Sequence, residues 1–285
     1  MTKKVLVTGG AGFIGTNLIA NLLKNSFDVH SLDDYSQGSK DNHLKGAHYH
    51  NLDIENINEI NHKFDICYHL AAKSRVQPSF ESPMDYFRVN VGGTEKVLDW
   101  AKKNNTKVVY AGSSSKHHNP SDSPYAMYKF LGEEICKLYK KSFNSDVSIA
   151  RFYNVYGPFE SVDEKFGNVI GIWRSKIKNN KPLPIVGDGH QRRDFTHVND
   201  IVDGLIKIGL SSIENEDAWE LGTGTNYSIN ELFDFFSLKF KCKREFINDQ
   251  KGNYRQTLRK DDKMLEKLNW KPTDKLKSYI LSLDE

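Results

Sequence analysis

Tyr125 and Lys129 stand four residues apart, and three consecutive hydroxyls, Ser113-Ser114-Ser115, precede them. On a helix, an i, i+4 pair shares a face. A free tyrosine, with a pKa of about 10, is a poor base at neutral pH. A neighbouring ammonium favours the phenolate, and an oxidised nicotinamide, itself positive, would add to that. Ser114, just past a strand end, can donate to or accept from the reacting oxygen. Such a set removes a hydroxyl proton while hydride leaves the same carbon. Alone, a tyrosine–lysine pair is as readily a solvated helix face, so the reading depends on what surrounds it.

Upstream runs Thr8-Gly9-Gly10-Ala11-Gly12-Phe13-Ile14-Gly15. The first of three spaced glycines, Gly9, suits a tight turn off a strand. Gly12 lets the backbone approach a pyrophosphate, and Gly15 lets the following helix pack close to a sheet. The helix start then offers free N–H groups and its dipole to phosphates. Asp33 and Asp34 end the second predicted strand. A carboxylate there accepts from both adenosine ribose hydroxyls and repels a 2′-phosphate, so the expected cofactor is NAD rather than NADP.

The elements that must position these residues alternate. Strands are predicted over 5–8, 29–32, 48–52, 64–70, 107–111 and 147–152, with helices over 13–23, 82–103 and 123–142. That rhythm means an α/β fold, a doubly wound parallel sheet covered on both faces, with the ligand edge at the strands' carboxyl ends. After Gly157-Pro158 the segments shorten, with turn signals at Lys181-Pro-Leu-Pro184 and Gly187-Asp-Gly189 and helices near 228–240 and 260–267. We read a dinucleotide-binding domain over 1–157 with about 190–210, and a smaller mixed C-terminal substrate lobe over 158–189 and 211–285. The helices at 82–103 and 123–142 are apolar on more than one face, through Met84, Phe87, Val91, Leu98, Tyr128, Leu131, Ile135 and Leu138. Burial against the sheet accounts for one face; a second copy of the chain, giving a homodimer, is the other account.

A net charge of +3 on 285 residues argues for neither nucleic acid nor a membrane surface as partner. No apolar run reaches a membrane span, and the sequence enters its first strand with no signal peptide. Cys67, Cys136 and Cys242 are scattered, without metal-ligand spacing. They suit free thiols in a reducing cytoplasm, and no metal is expected.

With these residues in place, the chain resembles the extended short-chain dehydrogenase/reductase family, in its branch of NAD-dependent nucleotide-sugar epimerases and dehydratases. The resemblance covers essentially the whole length. Besides the glycine loop it rests on Leu52-Asp53-Ile54, His69-Leu-Ala-Ala72, Asn90-Val-Gly-Gly-Thr94, Ser123-Pro-Tyr-Ala126 with Lys129, and Arg151-Phe-Tyr-Asn-Val-Tyr-Gly-Pro158. It continues through Gly187-Asp-Gly-His-Gln-Arg-Arg-Asp-Phe195, Leu221-Gly-Thr-Gly224 and Leu268-Asn-Trp-Lys-Pro272.

The resemblance implies that Ser114, Tyr125 and Lys129 are catalytic. It implies that Asp53 and Ile54 meet the adenine and that Phe13, Ile14, Leu70, Ala71, Ala72 and Asn90 line the cofactor. Asn154, Asn168, Arg193 and Arg255 would hold a UDP-linked nucleotide-sugar, with both arginines on its diphosphate. Forked guanidinium donors suit phosphate.

In such an epimerase, Tyr125 takes the proton of the sugar C4 hydroxyl while C4 gives hydride to NAD. The 4-keto sugar then turns over and receives hydride on its other face. Dehydratases and decarboxylases of the family place a carboxylate one or two residues after the catalytic hydroxyl, where this chain has Ser115 and Lys116. The expectation is therefore C4 epimerisation of a UDP-hexose or UDP-N-acetylhexosamine. A 4,6-dehydratase, decarboxylase or 4-ketoreductase is the alternative, ahead of a silent NAD-sensing protein. Three departures stand out. His117-His118 replaces the usual Tyr-Gly, either as hydrogen-bonding or titrating groups or as loop caps. Arg75 lies in a stretch near the sugar, to read a charged hexose or to face solvent. The segment between Ser115 and Ser123 is short. Thr257 falls where relatives restricted to plain hexoses are bulky, leaving room for a 2-acetamido group.

Overall fold

Val5, Leu6 and Val7 are completely buried, and they alternate between two cores. A strand whose neighbours face opposite ways is apolar throughout only when both sheet faces are covered. The computed structural model, which describes residues 2–260 and 263–284, shows that arrangement. The first half runs β1 (Lys4–Thr8), α1 (Phe13–Lys24), β2 (Asp28–Asp33), β3 (His48–Asn51), β4 (Ile66–His69), α2 (Val76–Glu81), α3 (Pro83–Phe87), α4 (Gly93–Asn104), β5 (Lys107–Ser113), α5 (Pro124–Phe143) and β6 (Val147–Phe152). The second half runs β7 (Asn154–Tyr156), α6 (Val169–Lys178), β8 (Leu183–Val186), β9 (Arg192–His197), α7 (Val198–Leu210), β10 (Trp219–Leu221), β11 (Asn226–Ser228), α8 (Ile229–Ser237), β12 (Arg244–Ile247), α9 (Lys263–Lys267) and α10 (Leu276–Ser282).

Seven parallel strands form the main sheet, in the order β10-β6-β5-β4-β1-β2-β3. On one face Val5 and Val7 pack with Leu18 and Leu22 of α1 and with Ile201 and Leu205 of α7. On the other, Leu6 and Cys67 pack with Val97 and Leu98 of α4 and Cys136 of α5. A third core, with Trp173, Phe236, Leu276 and Ile280, belongs to the smaller lobe, beside a three-stranded sheet β11-β9-β7 and the pair β12-β8. Two parts of the stretch 211–285 lie with the main sheet instead. β10 pairs with β6 through Trp219↔Ala150, and Leu265, Leu268 and Trp270 share the core of Val5. The Trp270 indole N–H donates to the Asp200 carbonyl at 2.8 Å, which seals that return.

Local chemistry sets the element ends. Ser123 caps α5 by accepting from the Ala126 N–H at 3.1 Å, Pro124 opens the helix, and Asn144 closes it in the left-handed region at φ 52. Ser228 and Glu231 form a reciprocal capping box on α8. The helix predicted over 82–103 is interrupted, with a wide π-type turn at Arg88–Gly92 between α3 and α4. The helix predicted over 260–267 is seen as Lys263–Lys267; residues 261 and 262 lie outside the described residues. Among the described residues no helix is long and apolar enough to cross a membrane.

Candidate active site

The carboxyl ends of the parallel strands and the smaller lobe enclose a cleft of about 930 Å³. Its floor begins where β1 turns. Gly9 has φ +71, and a Cβ there would lie 2.8 Å from the Ala71 nitrogen. A Cβ on Gly15 would meet the Gly9 carbonyl oxygen at 2.2 Å, so strand, turn and helix close only without side chains. Thr8 fastens the neighbouring strand. Its hydroxyl meets His69 Nδ1 at 2.8 Å and accepts from the Ala71 N–H at 3.2 Å. The start of α1 at Gly12 has no side-chain cap, which leaves its first N–H groups facing the cleft for an anion. Asp33 accepts from the Ala11 N–H at 2.9 Å and the Tyr35 N–H at 2.8 Å, one bond to each oxygen. Burial pushes its carboxyl upward against those two bonds. The uncapped helix start, the glycine cradle and the oriented Asp33 carboxylate fit a dinucleotide.

Gly9, Gly12, Phe13, Ile14, Gly15, Asp33, Asp34, Asp53, Ile54, Leu70, Ala71 and Ala72 all line this half of the cleft. Asp53 is shared, because Arg88 holds its carboxylate at 3.0 Å. Asn90 is different. It is buried in the wide turn and exchanges two hydrogen bonds with the Lys73 backbone, at 2.8 and 2.9 Å. It braces the loop after β4 rather than lining the wall.

At the reaction end, α5 turns Tyr125, Lys129 and Glu133 to one face, as i, i+4 and i+8 positions must be. The Lys129 ammonium donates to the Ala111 carbonyl and lies 4.8 Å from the centroid of the Tyr110 ring. Burial lowers its pKa to about 8, with Glu133 pulling the other way. Burial raises the Tyr125 phenol, opposed by a hydrogen bond from Ser113 and by the charge of Arg75. The hydroxyl beside Tyr125 is therefore that of Ser113, not the expected Ser114. β5 runs to Ser113, two residues beyond the end predicted from hydropathy, so Ser113 is the last strand residue. Ser114 lines the cleft one residue later, in a tight turn capped by Ser113.

Arg75 also faces this end. It has φ 82 and ψ 143, a conformation costly for a residue with a Cβ. Its Nε donates to the Phe166 carbonyl at 2.9 Å, and its charge acts on Tyr125 and Glu160. Beneath the site Glu133 and Arg151 form a buried, two-point ion pair at 2.8 and 3.0 Å, extended by Asp217 and Glu220.

The opposite wall comes from four distant segments. Asn154 and Thr257 meet there, with Thr257 Oγ1 3.5 Å from Asn154 Oδ1. Thr257 is buried and also accepts from the Asp194 N–H at 3.2 Å. Asn168 lines the cleft while its amide caps α6 and holds Val155 and Glu160, which makes it a positioning group. Arg193 lines the cleft and donates to the Arg192 carbonyl and, at 2.6 Å, to Asn253. Among the described residues no carboxylate pairs with it. Arg255 lies outside the cleft lining, in an adjoining hollow of about 180 Å³ that shares Val186, Gln191, Asn253 and Tyr254 with it. There it makes a two-point ion pair with Asp188 at 2.9 Å.

Neither histidine of the shortened segment lines the cleft. His117 pairs with Glu220 at 3.0 Å, and His118 stacks on Tyr254 with ring centroids 3.9 Å apart. Sequence reasoning missed Ser113, Asn253, Tyr254 and Glu133. The signals were the serine triplet, adjacency to Arg255 and the third step of the Tyr125–Lys129 spacing.

The sequence profile of the NAD dependent epimerase/dehydratase family matches residues 5–222. A protein of Methanocaldococcus jannaschii, provisionally named a UDP-glucose 4-epimerase, is 35% identical over 97% of this chain and 95% of its own. A UDP-glucuronate 4-epimerase of Thermodesulfobacterium geofontis is 32% identical over 94% and 90%. A solved UDP-N-acetylglucosamine 4-epimerase of Methanobrevibacter ruminantium M1, in complex with UDP-N-acetylmuramic acid, superposes with a TM-score of 0.91 at 28% identity. It covers 98% of this chain and 96% of that one.

Proposed function

We propose that this chain, which belongs to the NAD dependent epimerase/dehydratase family, interconverts the C4 epimers of a UDP-linked hexose or N-acetylhexosamine through a 4-keto sugar. Bound NAD supplies the hydride acceptor and, in reverse, the donor. The protein's own residues handle the proton and the geometry. Tyr125 Oη takes the proton of the C4 hydroxyl; the guanidinium of Arg75 favours its phenolate, and the buried ammonium of Lys129, one helical turn on, adds positive charge to the same face. Ser113, whose hydroxyl meets Tyr125, holds the reacting oxygen, with Ser114 next to it in the cleft lining. Asp33 selects the unphosphorylated ribose.

One observation carries epimerisation over its alternatives. The two residues after Ser113 are serines, and Lys116 beyond them is paired with Glu134 at 2.8 Å. No acid stands where dehydration or decarboxylation would need a second proton-transfer group. Arg193 is the group suited to a diphosphate, because it is a half-buried guanidinium held by neutral partners only. Arg255 would join it by leaving Asp188, and the hollow beside it suits the nucleotide base. Thr257, small and buried at the wall, leaves room for a 2-acetamido group.

Arg75 supports an extension of the substrate range to an acidic sugar. A strained, cleft-facing guanidinium beside the reaction end can receive a carboxylate, and one relative named above is a UDP-glucuronate 4-epimerase. Met84, Phe87 and Leu138 project outward from α3 and α5, which supports a homodimer through those helices. Cys67 and Cys136, free and buried, suit the cytoplasm.

The test is incubation of the purified protein, with no cofactor added, with UDP-glucose, UDP-N-acetylglucosamine and UDP-glucuronate in turn, followed by proton NMR. Appearance of a C4 epimer is the expected result and also shows that NAD is retained. A 4-keto-6-deoxy sugar or a pentose replaces this reading with dehydration or decarboxylation.

A further inference from the structure

At the amino edge of the main sheet, far from the cleft, histidines gather on one face of two neighbouring strands. Asp28 and His30 are i and i+2 on β2, and His48 and His50 are i and i+2 on β3. Residues two apart on a strand face the same way. The parallel register sets His30 directly beside His48. The rings of these two stack at a centroid distance of 4.7 Å, and both direct Nε2 toward the same carboxylate oxygen. His30 Nε2 lies 3.5 Å and His48 Nε2 4.0 Å from Asp28 Oδ1.

Three donor atoms, all within 4.8 Å of one another, are thus held by strand backbone rather than by loops. A tetrahedral zinc with metal–nitrogen distances of about 2.0–2.1 Å needs ligand atoms about 3.4 Å apart. The two separations to Asp28 Oδ1, 3.5 and 4.0 Å, approach that, and the two imidazole nitrogens, within 4.8 Å of each other, would close on an ion by rotation of the exposed His48 side chain. The surroundings complete the pattern. His30 Nδ1 is 2.9 Å from His50 Nε2, so donation of the Nδ1 proton to His50 leaves the Nε2 lone pair toward Asp28. A hydrogen bond of this kind, from the ring nitrogen away from the metal, fixes the tautomer of a metal-bound histidine. Lys4 occupies the other Asp28 oxygen, Oδ2, at 3.1 Å, which leaves Oδ1 to the cluster. His62 stands at the rim, with its ring 4.9 Å from that of His30.

We propose that Asp28 Oδ1, His30 Nε2 and His48 Nε2 bind one divalent transition cation of the zinc class. Two imidazoles and one carboxylate are a donor set for zinc, cobalt or nickel rather than for magnesium or calcium. His48 is exposed, so the fourth position is open to water. β3 is an edge strand, hydrogen-bonded on one side only, and the ion would clamp it to β2. Its role would be structural, since Asp33 and the cleft lie at the other end of β2, about 17 Å along the strand.

Tag-free protein, stripped with chelator, should be titrated with Co²⁺ by visible absorption and with Zn²⁺ by calorimetry. The expected result is one ion per chain, with a cobalt ligand-field band. His48→Gln and Asp28→Asn should each weaken binding by about 10-fold or more, as should His50→Ala through the lost outer hydrogen bond. Zinc should also slow amide exchange in 48–51. His48 is exposed and Asp28 half-buried, so circular dichroism should show both variants folded. Absence of saturable one-to-one binding overturns the proposal, as does binding that those two variants leave unchanged.

Discussion

The two walls of the cleft are built in opposite ways. The reaction end comes chiefly from one stretch of chain, the end of β5, the turns that follow it and the first two turns of α5, with Arg75 reaching in from just before α2. Ser113 and Lys129 are buried and Tyr125 is half-buried, and a strand and a helix hold them. The facing wall draws on residues near 154, 168, 188–193 and 253–257, and its outermost charged pair, Arg255 with Asp188, is largely exposed, the arginine at 68%. Chemistry needs fixed geometry, and regular elements supply it. Choice of substrate resides on surfaces where a side chain can exchange one partner for another.

The sharpest test of that contrast is at its rigid end. Tyr125→Phe removes the proton acceptor and little else, and kcat should fall by about 10³-fold with the fold intact, measured by NMR turnover. A loss under tenfold would break the assignment. Next, Ser113→Ala should lower kcat by about 10- to 100-fold, because its hydroxyl meets Tyr125, whereas Ser114→Ala should cost less. Parallel kinetics on the two variants decide which serine reacts.

On the facing wall the two arginines should differ. Arg193→Gln should raise KM about tenfold with kcat little changed, since loss of a charged hydrogen bond in a half-buried place costs about 1.5 kcal/mol or more. Arg255→Gln should raise it less, about threefold, because that arginine must first give up an exposed ion pair. Equal effects would mean that the wall is as preorganised as the reaction end.

The smallest effect is a matter of pH. Lys129 has a pKa of about 8, well below that of an unfolded lysine near 10.4. Turnover should therefore decline as pH rises through about 8, where the ammonium that supports the phenolate is lost. Stability should move the other way. Between about pH 8 and 10 the unfolded chain holds a proton that the folded chain has released, so raising pH favours the folded state. Both trends should vanish in Lys129→Gln, read by initial rates and by urea midpoints.

Much of the reaction end was legible in the sequence because it is local. The glycine loop, Asp33 and the Tyr125–Lys129 spacing are each legible as a short pattern at a strand end or on one helix face, and strand and helix periodicity carries them. That Ser113 rather than Ser114 meets Tyr125 escaped the sequence because hydropathy stops at Ala111 while β5 continues as polar strand to Ser113. The same limit hid the interruption of the helix over 82–103, since Asn90-Val-Gly-Gly reads as helical spacing until the loop at Lys73 engages the Asn90 amide. Asn168 and Arg255 are held by partners that periodicity does not announce, Glu160 across a loop and Asp188 from a distant turn.

By itself the sequence determined the alternation of strands and helices, the dinucleotide loop and the Tyr125–Lys129 pair proposed to move a proton. Each of these is written in residues close enough to fold as one unit. Only the tertiary structure decided which serine reaches Tyr125, that Arg75 turns into the cleft, and that β10 and Trp270 return to the main sheet. It also decided that Asp28, His30 and His48 converge, where cysteine spacing had pointed away from any metal. Those outcomes depend on strand register and on closure between distant segments, and short-range periodicity does not encode either.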